Sequence, residues 1–411
     1  MISEEGRLWD WAHPVDTNAA AESSDAEFIA SLVIPHVDRA LALMDRNPSA
    51  RTHGSMDRAF WYYRTLTNFQ SAVWQQPMLA FAILRDYYPG PTEDFDRSVM
   101  EQATESALNA WTLCQHRNGA FDEWYLNEYS YCPTAITSAG AALTLTVSRG
   151  WLHASPRAKA TQALSTSCAW LLKRYNSNVM NQNLAATVAL AGLAHVSGQQ
   201  EWLEGARTKL QRIADDQNKE GWLPEYGGFD FGYSTLTLDF LSIISSLGLA
   251  ELADAIADRL IRFLNMVLDR GCAIPGRIGS RGTSHAFLAG AISYGRQSSQ
   301  ARALESLLLD LHRKRLAANP GSVDDRYFSY FYFPQFALAL KAAADKRADS
   351  VSSTRDAATL PESTAHLSSS GIALHRLDRI TVVQNRRLGD AFAVLRQNES
   401  PLYHLGYTAM V

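Results

Sequence analysis

Between about residues 26 and 345 apolar side chains recur at intervals of three and four, the spacing that lines one face of an α-helix. The pattern predicts helices over about 26–46 (kinked at Pro35), 56–88, 99–117, 134–148, 157–175 and 181–197. It continues over 200–217, 233–247, 249–269, 284–294, 299–317 and 326–345. That is about twelve helices. Alternating strand-like patterns are scarce before residue 370. The loops between helices repeat. QHRNGAFDEWYLNEYSY (115–131) lies over QNKEGWLPEYGGFDFGY (217–233) without a gap, at an offset of 102 residues. Gln115 falls on Gln217, Gly119 on Gly221, Glu123 on Glu225, Trp124 on Tyr226 and Tyr131 on Tyr233. A third Gly-rich loop, RGCAIPGRIGSRGTSH, begins about fifty residues later, so the unit is one helical hairpin.

Six such hairpins fill 26–345, and closed on themselves they form an (α/α)6 toroid with long loops lining a central cleft. An open solenoid is the alternative; the long aromatic loops favour the ring. Residues 1–25 read as an irregular arm and 346–369, rich in Ser, Ala, Asp and Thr, as a linker. In 370–411 the segments GIALHRL, RITVVQN and DAFAVLRQ predict three short strands, the start or remnant of a β domain.

Composition narrows the function. Among 411 residues the net charge is −4, which argues against bulk attraction to nucleic acid or an anionic membrane. No uncharged apolar stretch reaches the ~20 residues of a membrane span. The four cysteines form no CxxC pair and read as reduced thiols. The first residues lack the apolar core of a secretory signal, so a cytoplasmic location is the expectation. Nucleotide-binding and HExxH motifs are absent and the histidines scattered, so neither cofactor nor metal is expected. The oligomeric state has no signature. The aromatic residues (10 Trp, 16 Tyr, 16 Phe) change the picture most, because many sit in Gly-rich loops where a core does not need them.

Four segments carry candidate chemistry. In EGWLPEYGGFDFGY, Tyr226 and Tyr233 offer flat faces and phenols for sugar rings, beside Glu225 and Asp230; plugging the ring is the bland alternative. In IPGRIGSRGTSH, Arg277 and Arg281 suit a carboxylate or sulfate, salt bridges being the alternative, and His285 is open between helix capping and chemistry. In NSNVMNQNLAAT, Asn181, Gln182 and Asn183 stand at a helix start and exceed what capping needs. An amide there can bind a carboxylate and stabilise charge when the adjacent carbon loses a proton. In NGAFDEWYLNEYSY, Glu123, Glu128, Trp124 and Tyr129 have the composition of a sugar subsite or of a glycosidase acid/base pair. Arg58, Trp61 and Arg64, three apart, share one side of a helix in the predicted reading, as a binding face or a salt-bridging surface.

Together these segments resemble the toroid domain of polysaccharide lyases of the heparinase II/III and chondroitin/hyaluronate lyase groups. The resemblance rests on Asn181 or Asn183 at a helix start, Glu220-Gly221-Trp222-Leu223-Pro224-Glu225-Tyr226, Tyr233, and Gly276-Arg277-Ile278-Gly279-Ser280-Arg281. It covers roughly 100–345. It implies β-elimination on a uronic-acid-containing oligo- or polysaccharide, with the amide and an arginine neutralising the carboxylate. Tyr233 would take the C5 proton, and Tyr233 or Tyr226 would protonate the leaving oxygen. Two positions depart from the pattern. Tyr226 stands where the chondroitin-lyase groups have histidine, and the β segment carries only His375 and His404 as local histidines. A uronosyl C5-epimerase, a two-carboxylate glycoside hydrolase and a non-catalytic glycan-binding toroid are the rival readings.

Overall fold

A computed structural model describes residues 24–63, 67–88, 96–269, 271–347, 363–377, 380–388 and 391–404. The candidate Arg64, nearly all of the predicted arm and most of the predicted linker lie outside the described residues. In chain order the helices are α1 (Ser24–Val33), α2 (Val37–Leu43), α3 (Pro77–Tyr87), α4 (Arg97–Leu113) and α5 (Tyr131–Val147). Then come α6 (Ala154–Leu172), α7 (Met180–Ser197), α8 (Gln200–Asp216), α9 (Phe231–Ile244) and α10 (Ala250–Val267). The last four are α11 (Ala289–Tyr294), α12 (Ser299–Arg313), α13 (Asp325–Tyr327) and α14 (Phe333–Arg347). Pro35 lies in a short 3-10 turn, Ile34–His36, that separates α1 from α2.

Helices α3, α5, α7, α9, α11 and α14 touch one another in sequence, and α14 touches α3, so six inner helices close a ring. They begin at steps of about fifty residues, one hairpin each. The protein is an (α/α) toroid followed by a small antiparallel sheet, as the period predicts. Inner and outer helices differ as their surroundings require. In α7 every residue from Met180 to Ala194 is buried, because neighbours flank it on all sides. Outer α8 buries only Ala206, Lys209, Leu210 and Ile213, a single stripe. Small residues let the inner helices approach: a Cβ at Gly192 would stand 2.7 Å from the Ala142 Cβ. Polar side chains buried in α5 bond back to their own helix, as Thr144 does to the Gly140 carbonyl (2.7 Å) and Thr146 to that of Ala142 (2.8 Å). The run Phe231–Val267 is long and apolar enough, by length and composition, to cross a membrane; here it is α9 and α10, folded back at Gly248 (φ 99°) as one hairpin.

The sheet is a meander of β1 (Ser363–Leu367), β2 (Ile372–Leu377), β3 (Ile380–Asn385), β4 (Ala391–Arg396) and β5 (Leu402–His404), every neighbouring pair antiparallel. The three predicted strands are β2, β3 and β4. Two more flank them, and β1 falls inside the segment read as linker. The sheet docks on one end of the ring. Arg376 Nε reaches Asp269 Oδ1 at 2.6 Å, and Thr381 donates to the same carboxylate. Asn385 Nδ2 donates to the Ile278 carbonyl (2.6 Å), and Glu220 accepts from the backbone N–H groups of Ser369 (2.6 Å) and Ser370 (2.9 Å). Those contacts brace the two loops that precede α9 and α11.

Candidate active site

The 102-residue offset is a structural repeat as well as a sequence one. Gly119 and Gly221 both take left-handed backbone (φ 93° and 104°). Each donates its N–H 2.8 Å to the carbonyl three residues earlier, His116 and Asn218 respectively. After each turn the loop crosses the end of the ring and enters an inner helix, at Tyr131 and Phe231. In both loops an arginine from elsewhere covers the corresponding aromatic and meets the corresponding glutamate. Arg326 lies 3.9 Å from the Trp124 ring centre and 2.7 Å from Glu123 Oε1. Arg281 lies 4.6 Å from the Tyr226 ring centre and 3.5 Å from Glu225 Oε2.

Between the two trios is a cleft of about 550 Å³. Of the candidates, Asn181, Gln182, Tyr226, Tyr233, Arg281, Glu123, Trp124 and Glu128 line it. Asp230 sets the geometry without reaching the cleft. Fully buried, it caps α9 by accepting from the Tyr233 N–H (2.9 Å), while its other oxygen accepts from the Arg281 N–H (3.0 Å). Its carboxylate also takes the Thr283 hydroxyl. One side chain thereby fixes the start of the Tyr233 helix against the Arg281 loop, a positioning role in place of the sugar contact expected for it.

Glu225 is buried as well, at 2% exposure, and is not among the cleft residues. Its two oxygens accept from the Asn181 backbone N–H (3.0 Å) and from Asn181 Nδ2 (2.7 Å). Glu225 therefore caps the N-terminus of α7, where the N-cap residue Val179 has no side-chain cap, and it turns the Asn181 amide. Burial pushes the Glu225 carboxyl up to about 7, against the pull of the Asn181 bonds and Arg281. Because the folded value lies above the ordinary 4.5, this group's stabilising contribution is full below about 4.5 and is lost as pH rises through about 7. Glu225→Gln is expected to remove that part of the pH dependence, on the order of 3 kcal/mol at most. Urea midpoints at pH 5 and 8 check it: the wild-type value falls, and the variant's changes less.

Tyr233 is 5% exposed, with the Arg281 guanidinium 4.1 Å from its ring centre. Burial holds its phenol well above the ordinary value, with Arg281 pulling the other way. No hydrogen bond from its hydroxyl occurs among the described residues. Tyr226, 58% exposed with φ 53°, stands at the rim on a strained turn. Glu123 is held above the usual carboxylate range by burial, which Arg326 opposes. Glu128 shapes the same loop by accepting from the N–H groups of Glu123 (2.8 Å) and Trp124 (2.9 Å).

The remaining candidates lie elsewhere. Asn183 is locked inside, accepting from the Tyr131 hydroxyl (2.8 Å) and Asn176 N–H (3.0 Å) and donating to the Asn176 carbonyl (2.7 Å). Two residues along a helix turn a side chain by about 200°, which separates it from Asn181. His285 is half-buried behind Tyr233, ring centres 5.5 Å apart, its Nδ1 2.8 Å from the Tyr332 hydroxyl. Burial lowers its pKa to about 4, so at neutral pH it is uncharged. Arg277 is exposed and faces Tyr403 of β5, 5.5 Å from the ring centre. Tyr129 rests on His116 (4.5 Å between centres). The Arg58 face is not the expected one, because Ala59–Tyr63 forms a π-helical turn that breaks the spacing of three. Trp61 instead donates to the Leu43 carbonyl (2.9 Å), and Arg58 covers Tyr62.

Sequence reasoning missed the wall built by the last hairpin: Asp324, Arg326, Tyr327, Tyr330 and Phe331. Their signal is positional, since SVDDRYFSYFYF precedes the sixth inner helix as the repeated loops precede the second and fourth. No group of three or more metal-ligating side chains occurs among the described residues.

Neither a protein-family model nor a curated protein matches the sequence. Solved structures match by shape. A xanthan lyase from Paenibacillus is 12% identical with a TM-score of 0.56, over 87% of this chain and 34% of that one. A chondroitin AC lyase from Streptomyces coelicolor A3, in complex with chondroitin sulphate, is 14% identical with a TM-score of 0.53, over 92% and 51%. A cellobiose 2-epimerase from Bacillus thermoamylovorans is 9% identical with a TM-score of 0.48, over 70% and 85%. The chain thus spans a third to a half of the length of the two lyases, and the likeness to them is one of fold: the (α/α) toroid.

Proposed function

We propose that this protein is a glycan-processing enzyme, a lyase that cleaves a uronic-acid-containing oligo- or polysaccharide by β-elimination. One observation carries the reading: Asn181, Tyr233 and Arg281, from three separate segments, line one cleft. Arg281 and the Asn181 amide bind the uronate carboxylate and stabilise the negative charge that spreads onto it when C5 loses its proton. The Tyr233 phenol lies beside Arg281, has no hydrogen-bond partner among the described residues, and is the group that exchanges a proton with substrate. The C5–H electrons form the C4–C5 double bond, the C4–O bond breaks, and the departing oxygen takes a proton from Tyr233 or Tyr226. Burial favours the neutral phenol at rest, which suits Tyr233 to donation. As base it relies on Arg281 to offset that burial.

The test is incubation with a panel of uronate oligosaccharides, followed by ultraviolet absorbance of the unsaturated product. Absorbance growing with chain cleavage supports elimination. Deuterium entering C5 from heavy water with no cleavage identifies an epimerase instead. Hydrolysis without a chromophore, abolished by Glu123→Gln, identifies a hydrolase, a reading favoured only by the equivalent placement of Glu123 and Glu225 in the two repeats.

A further inference from the structure

The charged groups lining the cleft are unevenly matched. Among the described residues three carboxylates, Glu123, Glu128 and Asp324, face two guanidiniums, Arg281 and Arg326. Arg326 is committed: its Nη2 lies 2.7 Å from Glu123, and its plane covers Trp124 at 3.9 Å. Glu128 takes backbone N–H groups from its own loop, and Asp324 accepts from the Tyr327 N–H (2.8 Å); among the described residues neither has an ion pair. Arg281 is the lining cation with the looser ion pair, 3.5 Å from the buried Glu225 against 2.7 Å between Arg326 and Glu123. The rest of the rim is aromatic, with Trp124 66%, Tyr226 58% and Tyr327 40% exposed. Such faces stack on uncharged sugar rings.

We infer that the cleft selects a glycan carrying one isolated carboxylate flanked by neutral sugars, and rejects densely charged or sulfated chains. One carboxylate satisfies Arg281. A second or third anionic group on neighbouring sugars meets the half-buried Glu128 and the exposed Asp324, with no further guanidinium among the described lining residues to receive it. This repulsion acts through solvent, so salt weakens it. The inference rests on the proposed reading of the cleft as a uronate site, and it adds what flanks the uronate.

Calorimetric titration at about 20 mM and about 300 mM salt tests it on three oligosaccharides of equal length. One has a single internal glucuronate among neutral sugars, one is uronate throughout, and one is sulfated on every unit. The single-uronate ligand is expected to bind at least tenfold tighter at low salt. Its affinity should fall slightly with salt, whereas that of the sulfated ligand should rise. Glu128→Gln, and separately Asp324→Asn, which keeps its cap to the Tyr327 N–H, should each raise affinity for the sulfated ligand severalfold at low salt. Equal or tighter binding of either polyanion at low salt overturns the inference, even if that polyanion is then cleaved and the lyase reading stands. Preferential binding of the single-uronate ligand without an unsaturated product leaves the inference standing and removes the lyase reading. Binding of none of the three removes both.

Discussion

Replacing Tyr233 by phenylalanine is expected to lower turnover by about a thousandfold or more and leave the fold intact, within the usual range for removing a general acid or base. The two halves of that expectation have separate causes. The ring is packed between Arg281 (4.1 Å to the ring centre) and the edges of His285 and Phe331, contacts that phenylalanine keeps. The hydroxyl makes no hydrogen bond among the described residues, so its loss leaves no buried partner unpaired. Thermal midpoint and urea midpoint should therefore stay close to wild type while product absorbance disappears. Substrate affinity should change little if the hydroxyl acts mainly in the transition state, so kcat falls and KM does not. Retained turnover in this variant would falsify the role given to Tyr233.

Gly221→Ala is expected to cost roughly 2–4 kcal/mol of stability. Gly221 sits at φ 104°, and an added Cβ would stand 2.3 Å from the Arg259 carbonyl oxygen of α10. Backbone is on both sides of that collision, so neither can rotate away. Gly119 repeats the arrangement at φ 93°, with the Thr166 carbonyl oxygen of α6 also at 2.3 Å, and Gly119→Ala should behave alike. Gly198 supplies the comparison. It ends α7 at φ 76° with nothing within 4 Å, so Gly198→Ala should lose only the backbone term, about 1 kcal/mol. Chemical denaturation of the three variants separates collision from dihedral strain. Gly221→Ala and Gly198→Ala losing equal stability would show that the close approach to α10 is unimportant.

The ring and its period were legible because a hairpin repeated six times leaves a helical signal at each turn and one kind of loop at the same end. The first cleft wall was legible for the same reason, since Glu123, Trp124 and Tyr226 sit in the matching loops. The other wall was not. Arg326 is about two hundred residues from Glu123 along the chain, and only closure of the ring brings the two together. The amides at 181–183 could not be separated by type or spacing, because a helix distributes successive side chains around its axis and each meets different neighbours. Asp230 and Glu225 looked like ligand groups by composition. Their burial as helix caps depends on a loop fifty residues downstream and on a helix one hairpin upstream. The strand Ser363–Leu367 escaped because it is short, largely polar and paired on one side to β2 alone.

The contact between α3 and α14 also fixes the order in which function becomes available. These helices are separated by some 250 residues, and α14 also packs on α1, some 300 residues away, so the longest-range pairings of the ring meet at the seam. A nascent chain emerging at about 5–20 residues per second can stack its first five hairpins long before the sixth exists. Until that hairpin arrives, inner-helix flanks at both ends of an open arc stay wet, and the wall carrying Arg326 and Tyr330 is missing. Closure by that last inner helix buries the seam and completes the cleft together, so ordering of the cleft residues during synthesis is expected to report ring closure.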